Sequence, residues 1–212
     1  MFHETNEAKL YTAPIHENAS LFYRNIKRIT DIVCALLLLV LSLPLLLLCC
    51  IIIPLESPGS PLFFQERLGV GGRRFNILKL RSMVLNAEKD GPQWASQNDE
   101  RITKVGQFIR KTRIDELPQL INIVKGDMSF VGPRPEREFF YEKFERDIPE
   151  FRYRLCVKPG LTGWAQINGG YELNPKTKLQ YDLYYIQNRT CWFEIQIVCR
   201  TIFILCNGYG AR

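Results

Sequence analysis

Apolar and polar residues are distributed unevenly along the chain. From Ile32 to Leu55 runs a block of 24 residues in which only Ser42, Pro44 and Pro54 are not strongly apolar and none is charged. At about 1.5 Å per residue such a block reaches roughly 36 Å as a helix, enough to cross a bilayer. It starts too late, is too long and lacks a small-residue cleavage site, so it does not read as a cleaved signal peptide. Pro44, with Ser42 two residues before it, predicts a kink in the middle. Arg24, Lys27 and Arg28 precede the block and Arg67, Arg73 and Arg74 follow it, so the basic flanks favour neither crossing direction. Two arrangements stand on the residues alone. One is a single-pass anchor, because proline is tolerated in spanning helices. The other is a helix–break–helix hairpin that enters and leaves the same leaflet.

Beyond the block, Ser57-Pro58-Gly59-Ser60-Pro61 breaks the helix. Leu62–Arg67 and Phe75–Leu80, separated by Gly69, Gly71 and Gly72, predict a small β-hairpin. Asp90 to Asn98 reads as a polar loop. Asp99 is placed to cap a helix whose apolar positions are Ile102, Val105, Phe108 and Ile109. A further helix is expected from about Asp115, with Pro118 in its first turn, Leu117, Leu120, Ile121 and Val124 on its apolar face, and Gly126 as its stop. Phe139 to Arg154 mixes aromatics with charges and suggests a surface helix. Lys158 to Gly170 holds four glycines and reads as a loop. Asn174-Pro175 opens a helix through about Gln187, and Trp192 to Leu205 predicts a last apolar helix, docked on the core or on a membrane interface.

Composition narrows the classes. The 212 residues, 46% hydrophobic and 24% charged, suit one domain, or one domain plus an appendage. They argue against a disordered chain, a collagen and a polytopic membrane protein. The net charge of +6 is concentrated: residues 21–81 hold eight basic and three acidic residues. A basic patch around an apolar run is simplest as attraction to anionic headgroups, shared with phosphate binding. It lacks the basic stripe with interleaved aromatics that nucleic acid would ask for. The two histidines, His3 and His16, lie in the first twenty residues, which argues against a Ser-His-Asp triad or a histidine-rich metal site within the fold. The seven cysteines are odd in number and lack C-x-x-C spacing, so they read as small buried hydrophobes in a reducing compartment.

The densest reactive cluster is Arg110-Lys111-Thr112-Arg113-Ile114-Asp115-Glu116. Two adjacent carboxylates at a helix start reach one ligand region, where free N–H groups attract phosphate. Arg110, Arg113 and a divalent metal would neutralise the anions brought together there. The alternative is a solvated helix start with ion pairs. A second cluster, Lys125 to Pro135, holds Arg134 stiffly between Pro133 and Pro135. A guanidinium fixed in this way suits bidentate phosphate recognition, with an ordinary rigid turn as the alternative.

These segments, together with Lys27-Arg28 through Asp31, Gln65 to Gly69, Lys79-Leu80-Arg81-Ser82-Met83, Asp115-Glu116-Leu117-Pro118-Gln119 and Lys158 to Gly169, resemble the monotopic phosphoglycosyl transferases, also called bacterial sugar transferases. The likeness runs from about Arg24 to Leu205 and is closest to the minimal catalytic form. It implies transfer of a sugar 1-phosphate from a nucleoside diphosphate sugar to a polyprenyl phosphate, with release of the nucleoside monophosphate. It implies Asp115 as nucleophile, forming an aspartyl phosphosugar, and Glu116 as ligand of a magnesium ion. It implies Arg134 as phosphate clamp, with Lys79, Arg81 and Arg110 as further substrate-binding residues. Asp182, in an Asp-x-Tyr-Tyr stretch, is a polar site residue by the same likeness or a structural one.

The resemblance also favours the re-entrant helix, kinked at a Ser-Pro pair. Here Leu43 precedes Pro44 and the serine is displaced to Ser42; Ser82 stands where a threonine is common. The expected architecture is α+β and mostly helical, with a small β-hairpin and several amphipathic, interfacial helices. Its expected parts are an N-terminal tail (1–20), a re-entrant membrane helix-hairpin (21–56) and a catalytic domain (57–212) on the cytoplasmic face of the bacterial inner membrane. Exposed aromatic segments would permit a homodimer.

Overall fold

Ser20 opens the first helix by accepting a hydrogen bond from Tyr23 N at 3.2 Å. From there the backbone stays helical for 36 residues, α1 (Leu21–Glu56), with Pro44 and Pro54 inside it. The computed structural model describes residues 20–87, 89, 91, 99–169 and 173–207. The expected polar loop at Asp90–Asn98 and the N-terminal tail lie almost wholly outside them. The hairpin expected at Pro44 does not take the form of two helices. A missing proline N–H costs one hydrogen bond, and the apolar residues on both sides remain helical. Ser42 Oγ donates to Leu39 O at 3.2 Å, a local side-chain bond of the kind that bends helices.

The buried positions of α1 are Tyr23, Asp31, Ala35, Leu46, Cys49 and Ile53, which fall on one face at helical spacing. The opposite face is apolar and bare: Val40 is 70% exposed and Leu41 75%. Among the described residues α1 is the helix long and apolar enough to cross a membrane.

Strands β1 (Leu62–Leu68) and β2 (Arg74–Leu80) form the expected antiparallel hairpin, with Phe63 opposite Lys79. Helix α2 (Lys104–Lys111) starts later than expected. Asp99 is occupied by Arg101, and the first N–H groups of α2 are met instead by Thr103, which accepts from Gly106 N at 2.9 Å, and by Glu56 of α1, which accepts from Lys104 N at 2.8 Å and Val105 N at 2.9 Å. A 3-10 turn (Ile114–Glu116) then leads into α3 (Gln119–Lys125) and the short strand β3 (Ser129–Val131).

The stretch expected as one surface helix divides at Pro149 into α4 (Glu138–Glu145) and a 3-10 helix (Pro149–Cys156). The glycine-rich loop contains β4 (Gly160–Thr162), which pairs parallel with β3. Gly160 is required by this pairing, since a Cβ there would meet Gly132 N at 2.1 Å. Helices α5 (Trp164–Ile167), α6 (Pro175–Gln187) and α7 (Cys191–Asn207) follow among the described residues.

Three apolar clusters form the core, and α1 supplies two of them. Ala35 packs with Ile77, Leu120, Ile123 and Met128; Leu46, Cys49 and Ile53 pack with Leu80 and Ile109. Burying a side chain the size of Leu46 or Ile53 contributes about 1.5–3 kcal/mol. The third cluster, around Tyr141, Phe151, Leu179, Leu183 and Ile197, lies under α4, α6 and α7.

Polar bonds secure α1 at both ends. Arg28 donates to the carbonyls of Ile123 (2.6 Å) and Val124 (2.8 Å) at the C-terminus of α3. Buried Asp31 accepts from Ser129 Oγ at 2.8 Å and Phe130 N at 3.2 Å. Lys27 pairs with Glu194 of α7, whose other oxygen takes the Tyr23 hydroxyl at 2.5 Å. At the far end Arg81 donates to the carbonyls of Ser57, Pro58 and Gly59. Among the described cysteines Cys49 is buried, but Cys34, Cys156, Cys191 and Cys199 are exposed, so most of these are not the buried hydrophobes their apolar neighbours suggested. Cys34, Cys191 and Cys199 lie in helices with bare apolar faces, which the sequence cannot distinguish from core.

Candidate active site

Asp115 and Glu116 lie in the 3-10 turn that precedes α3, not within a regular helix. The turn is entered through Arg113, whose φ of 59° makes it the one non-glycine residue with positive φ among those described. A bulky side chain in this region costs of order 1 kcal/mol and persists where surrounding contacts enforce it. Here the strain turns the chain so that both carboxylates face inward; Asp115 is 7% exposed and Glu116 8%.

α3 is held in place from two sides. Arg28 caps its C-terminus, and Asn122 bonds the edge of β2, accepting from Leu78 N at 3.0 Å and donating to Asn76 O at 2.8 Å. That attachment fixes β2 against the turn and brings Lys79 Nζ to 3.0 Å from Glu116 Oε1. Arg134, between its two prolines, reaches the same carboxylate, with Nη2 at 2.5 Å from Oε1 and Nη1 at 3.5 Å from Oε2.

The two carboxylates therefore differ electrostatically. Burial alone would raise the Glu116 carboxyl, but Arg134 and Lys79 overcome it and hold Glu116 well below the usual carboxylate range. Asp115 is pushed up to about 6, first by burial and then by the neighbouring Glu116 charge, against the pull of Lys79, Arg110 and Arg113. Its Oδ1 is buried without a hydrogen-bond partner. Lys79, Arg110, Arg113 and Arg134 together exceed the two carboxylates by two positive charges, which suits a diphosphate.

The structure thus brings Lys79, Arg110 and Arg134 to the Asp115-Glu116 pair. It does not bring Arg81 or Asp182. Arg81 is 7% exposed and occupied by the carbonyls that end α1. Asp182 is fully buried against Arg154, its Oδ2 at 2.6 Å from Nε. Their sequence neighbours resemble site segments, but Lys79 on β2 and Arg81 just beyond it reach different partners, and Asp182 takes the structural alternative, in the support behind Arg134. Arg154, whose side chain is fully buried, has no distinguishing signal in the sequence. Nothing in a stretch of alternating aromatics and charges distinguishes one buried arginine from its solvated neighbours.

Residues 22–208 match the family described as bacterial sugar transferase. The chain belongs to this family. This bacterial sugar transferase is 45% identical over 213 residues to UDP-N-acetylgalactosamine-undecaprenyl-phosphate N-acetylgalactosaminephosphotransferase of Aeromonas hydrophila, covering 99% of the chain and 49% of that relative. It is 45% identical over 183 residues to UDP-glucose:undecaprenyl-phosphate glucose-1-phosphate transferase of Caulobacter vibrioides (83% of the chain, 68% of the relative). With the protein of the same name from Escherichia coli it shares 43% identity over 185 residues (85% and 40%). The chain thus spans about half the length, 49%, of the Aeromonas relative.

Among the described residues no group of three or more His, Cys, Asp or Glu side chains is placed to hold a metal ion. Magnesium does not need such a cage, since one or two carboxylates with substrate phosphates satisfy it. The orphaned Oδ1 of Asp115 beside Glu116 fits that donor set.

Proposed function

We propose that this chain transfers a sugar 1-phosphate from a UDP-sugar to polyprenyl phosphate and releases UMP. The observation that carries the reading is the divided carboxylate pair: Glu116 is clamped as an anion by Lys79 and Arg134, while Asp115 keeps a buried oxygen without a partner. A clamped carboxylate organises cations; an unpartnered one is available to attack.

In the first step an Asp115 oxygen bonds to the β-phosphorus of the donor. The bond to the bridging oxygen breaks, and UMP leaves with that oxygen and its electron pair. In the second step a phosphate oxygen of the lipid attacks the same phosphorus, the aspartyl–phosphorus bond breaks, and the carboxylate is restored. Both steps crowd anions, and the excess of arginine and lysine at the site offsets that repulsion. Arg134 clamps a phosphate while remaining tied to Glu116; Lys79 and Arg110 add charge beside it. Bound with the diphosphate, Glu116 would hold magnesium, which would supply further charge neutralisation.

The test is incubation with undecaprenyl phosphate, magnesium and a panel of UDP-sugars that includes UDP-N-acetylgalactosamine, UDP-glucose and UDP-galactose. UMP and a lipid diphosphate sugar are the expected products. Release of UDP would mean sugar transfer without its phosphate and would remove the mechanism.

The same reading places α1 in one leaflet, with the rest of the chain on the cytoplasmic face of the bacterial inner membrane, where nucleotide sugars are. Its support is that Lys27, Arg28 and Asp31 at one end and Glu56 and Ser57 at the other bond to one folded body. A helix crossing about 30 Å of hydrocarbon would put these ends on opposite sides. The bare face of α7, where Trp192 is 68% and Phe203 70% exposed, would rest on the same interface. In a background freed of native cysteines, Asn25→Cys and Ser60→Cys are expected to label from the same side of sealed vesicles. Labelling from opposite sides would establish a spanning helix.

A further inference from the structure

The segment that carries Arg134 is unusually well held at its carbonyls. Val131 O lies 3.0 Å from the Tyr185 hydroxyl and Pro133 O accepts from Gly160 N at 2.9 Å. Pro135 O accepts from Arg67 Nη1 at 3.2 Å, and Glu136 O from Leu68 N at 3.1 Å. The carbonyl of Arg134 itself accepts from Nη2 of Arg154 at 2.9 Å.

Arg154 differs from the other donors. It is a fully buried cation on the 3-10 helix, and α6 neutralises it through Asp182, whose Oδ2 is 2.6 Å from Nε. Its Nη1 has no hydrogen-bond partner. The guanidinium instead lies over Phe151, 4.8 Å from the ring centroid, with Tyr141 at 5.8 Å. Removing an arginine from water is unfavourable, and the ion pair offsets this only with good geometry. A core built for stability alone is served as well by an apolar residue. The buried pair does something an apolar residue does not: it presents a fixed donor to one carbonyl.

That carbonyl matters because of the residues around it. Pro135 biases the Arg134 backbone to extended conformations, and Pro133 fixes the entry. The freedom left is rotation of the peptide that Arg134 shares with Pro135, and the bond from Arg154 removes it. We infer that Arg154 is a positioning residue, which sets the Arg134 guanidinium against Glu116 through the Arg134 carbonyl, with Asp182 orienting Arg154. The chain of contacts runs from α6 through the 3-10 helix and the Pro-Arg-Pro turn to the catalytic carboxylates. The inference rests on the proposed role of Arg134 in phosphoryl transfer.

Arg154→Lys tests it, because an ammonium has neither the planar fork nor the stacking surface to serve Asp182 and the carbonyl together. UMP release is expected to fall about 10-fold or more in kcat, with KM for the UDP-sugar changed less than about threefold, as for loss of an interaction made chiefly in the transition state. The double variant Arg134→Lys/Arg154→Lys is expected within about twofold of Arg134→Lys alone, because residues acting through one another are not additive. Losses that multiply would show that Arg154 acts independently of Arg134 and would overturn the inference. Asp182→Asn, isosteric and the variant to use if Arg154→Lys does not fold, is expected to lower kcat with the same non-additivity; unchanged kcat would remove Asp182 from the scheme. Amide hydrogen exchange at Gly132, Arg134 and Glu136 is expected to accelerate in the folded variants, whatever the reaction. If the wild type releases no UMP, the functional reading fails and exchange alone decides: faster exchange upholds the positioning, and unchanged exchange ends it.

Discussion

Asp115→Asn is expected to abolish transfer and to make the protein more stable. UMP release should fall by at least about 10³-fold, since the amide cannot form the aspartyl phosphosugar and loss of a nucleophile removes most of a covalent mechanism. The stability change follows from burial. The Asp115 carboxyl is raised from 3.8 to about 6 in the fold. A group raised in this way contributes stability that is complete below its unfolded pKa and lost as the pH rises through the folded one. At pH 7.5 the ionised carboxylate therefore leaves the fold weaker by about 3 kcal/mol than a neutral group would. Asparagine removes that charge at similar volume, so its melting temperature should rise by several degrees near neutral pH and converge with wild type near pH 4. Wild-type turnover should decline below about pH 6 as Asp115 is protonated. A destabilised Asp115→Asn, or one that still turns over, would refute this account of the residue.

Glu116→Gln is expected to do the opposite to stability while also impairing turnover. Glu116 is the anion to which Lys79 and Arg134 are both bound. Taking away one side of a buried charge cluster leaves the other uncompensated, at about 3–5 kcal/mol. The sign follows from a carboxyl held low: its contribution is present above the ordinary carboxylate pKa and disappears as the pH falls through the depressed value. The melting temperature should drop at neutral pH, and the difference from wild type should shrink in acid. Turnover should fall about 10²–10³-fold, because the two cations lose the group that aims them. Equal stability of the two proteins at pH 7.5 would mean that the clamp does not exist in solution.

Several elements of the fold are legible in the sequence, and for one reason: their signals are local. The β1–β2 hairpin follows from apolar runs around glycines, and the stop of α3 from Gly126, whose φ is 95°. The Asp115-Glu116 pair and the Pro133-Arg134-Pro135 turn stand out because unusual residues are adjacent. What escapes is set by distant partners. Asp99 has the form of a helix cap, but Arg101 competes for it and Glu56, 48 residues from Lys104, does the capping instead. The β3–β4 ladder is hidden because its strands are three residues each and glycine allows their approach. Arg81 and Asp182 carry the right chemistry in the right segments, yet their neighbours in space occupy them. Arg113 shows the limit most clearly, since its left-handed backbone, which aims both carboxylates, has no signature in residue type.

The attachment of α1 at both ends has a consequence for biogenesis. α1 leaves the ribosome well before the groups that receive it: Ile123 and Val124 for Arg28, Ser129 for Asp31, Glu194 for Lys27. Until these residues have left the ribosome, Asp31 has no partner and the inner stripe of α1 has no core to join. Its bare apolar side is complete from the start. The nascent chain must therefore shelter this helix before its own body exists, and a fragment beginning after Glu56 would be left with Leu80, Ile109, Leu120 and Ile123 uncovered.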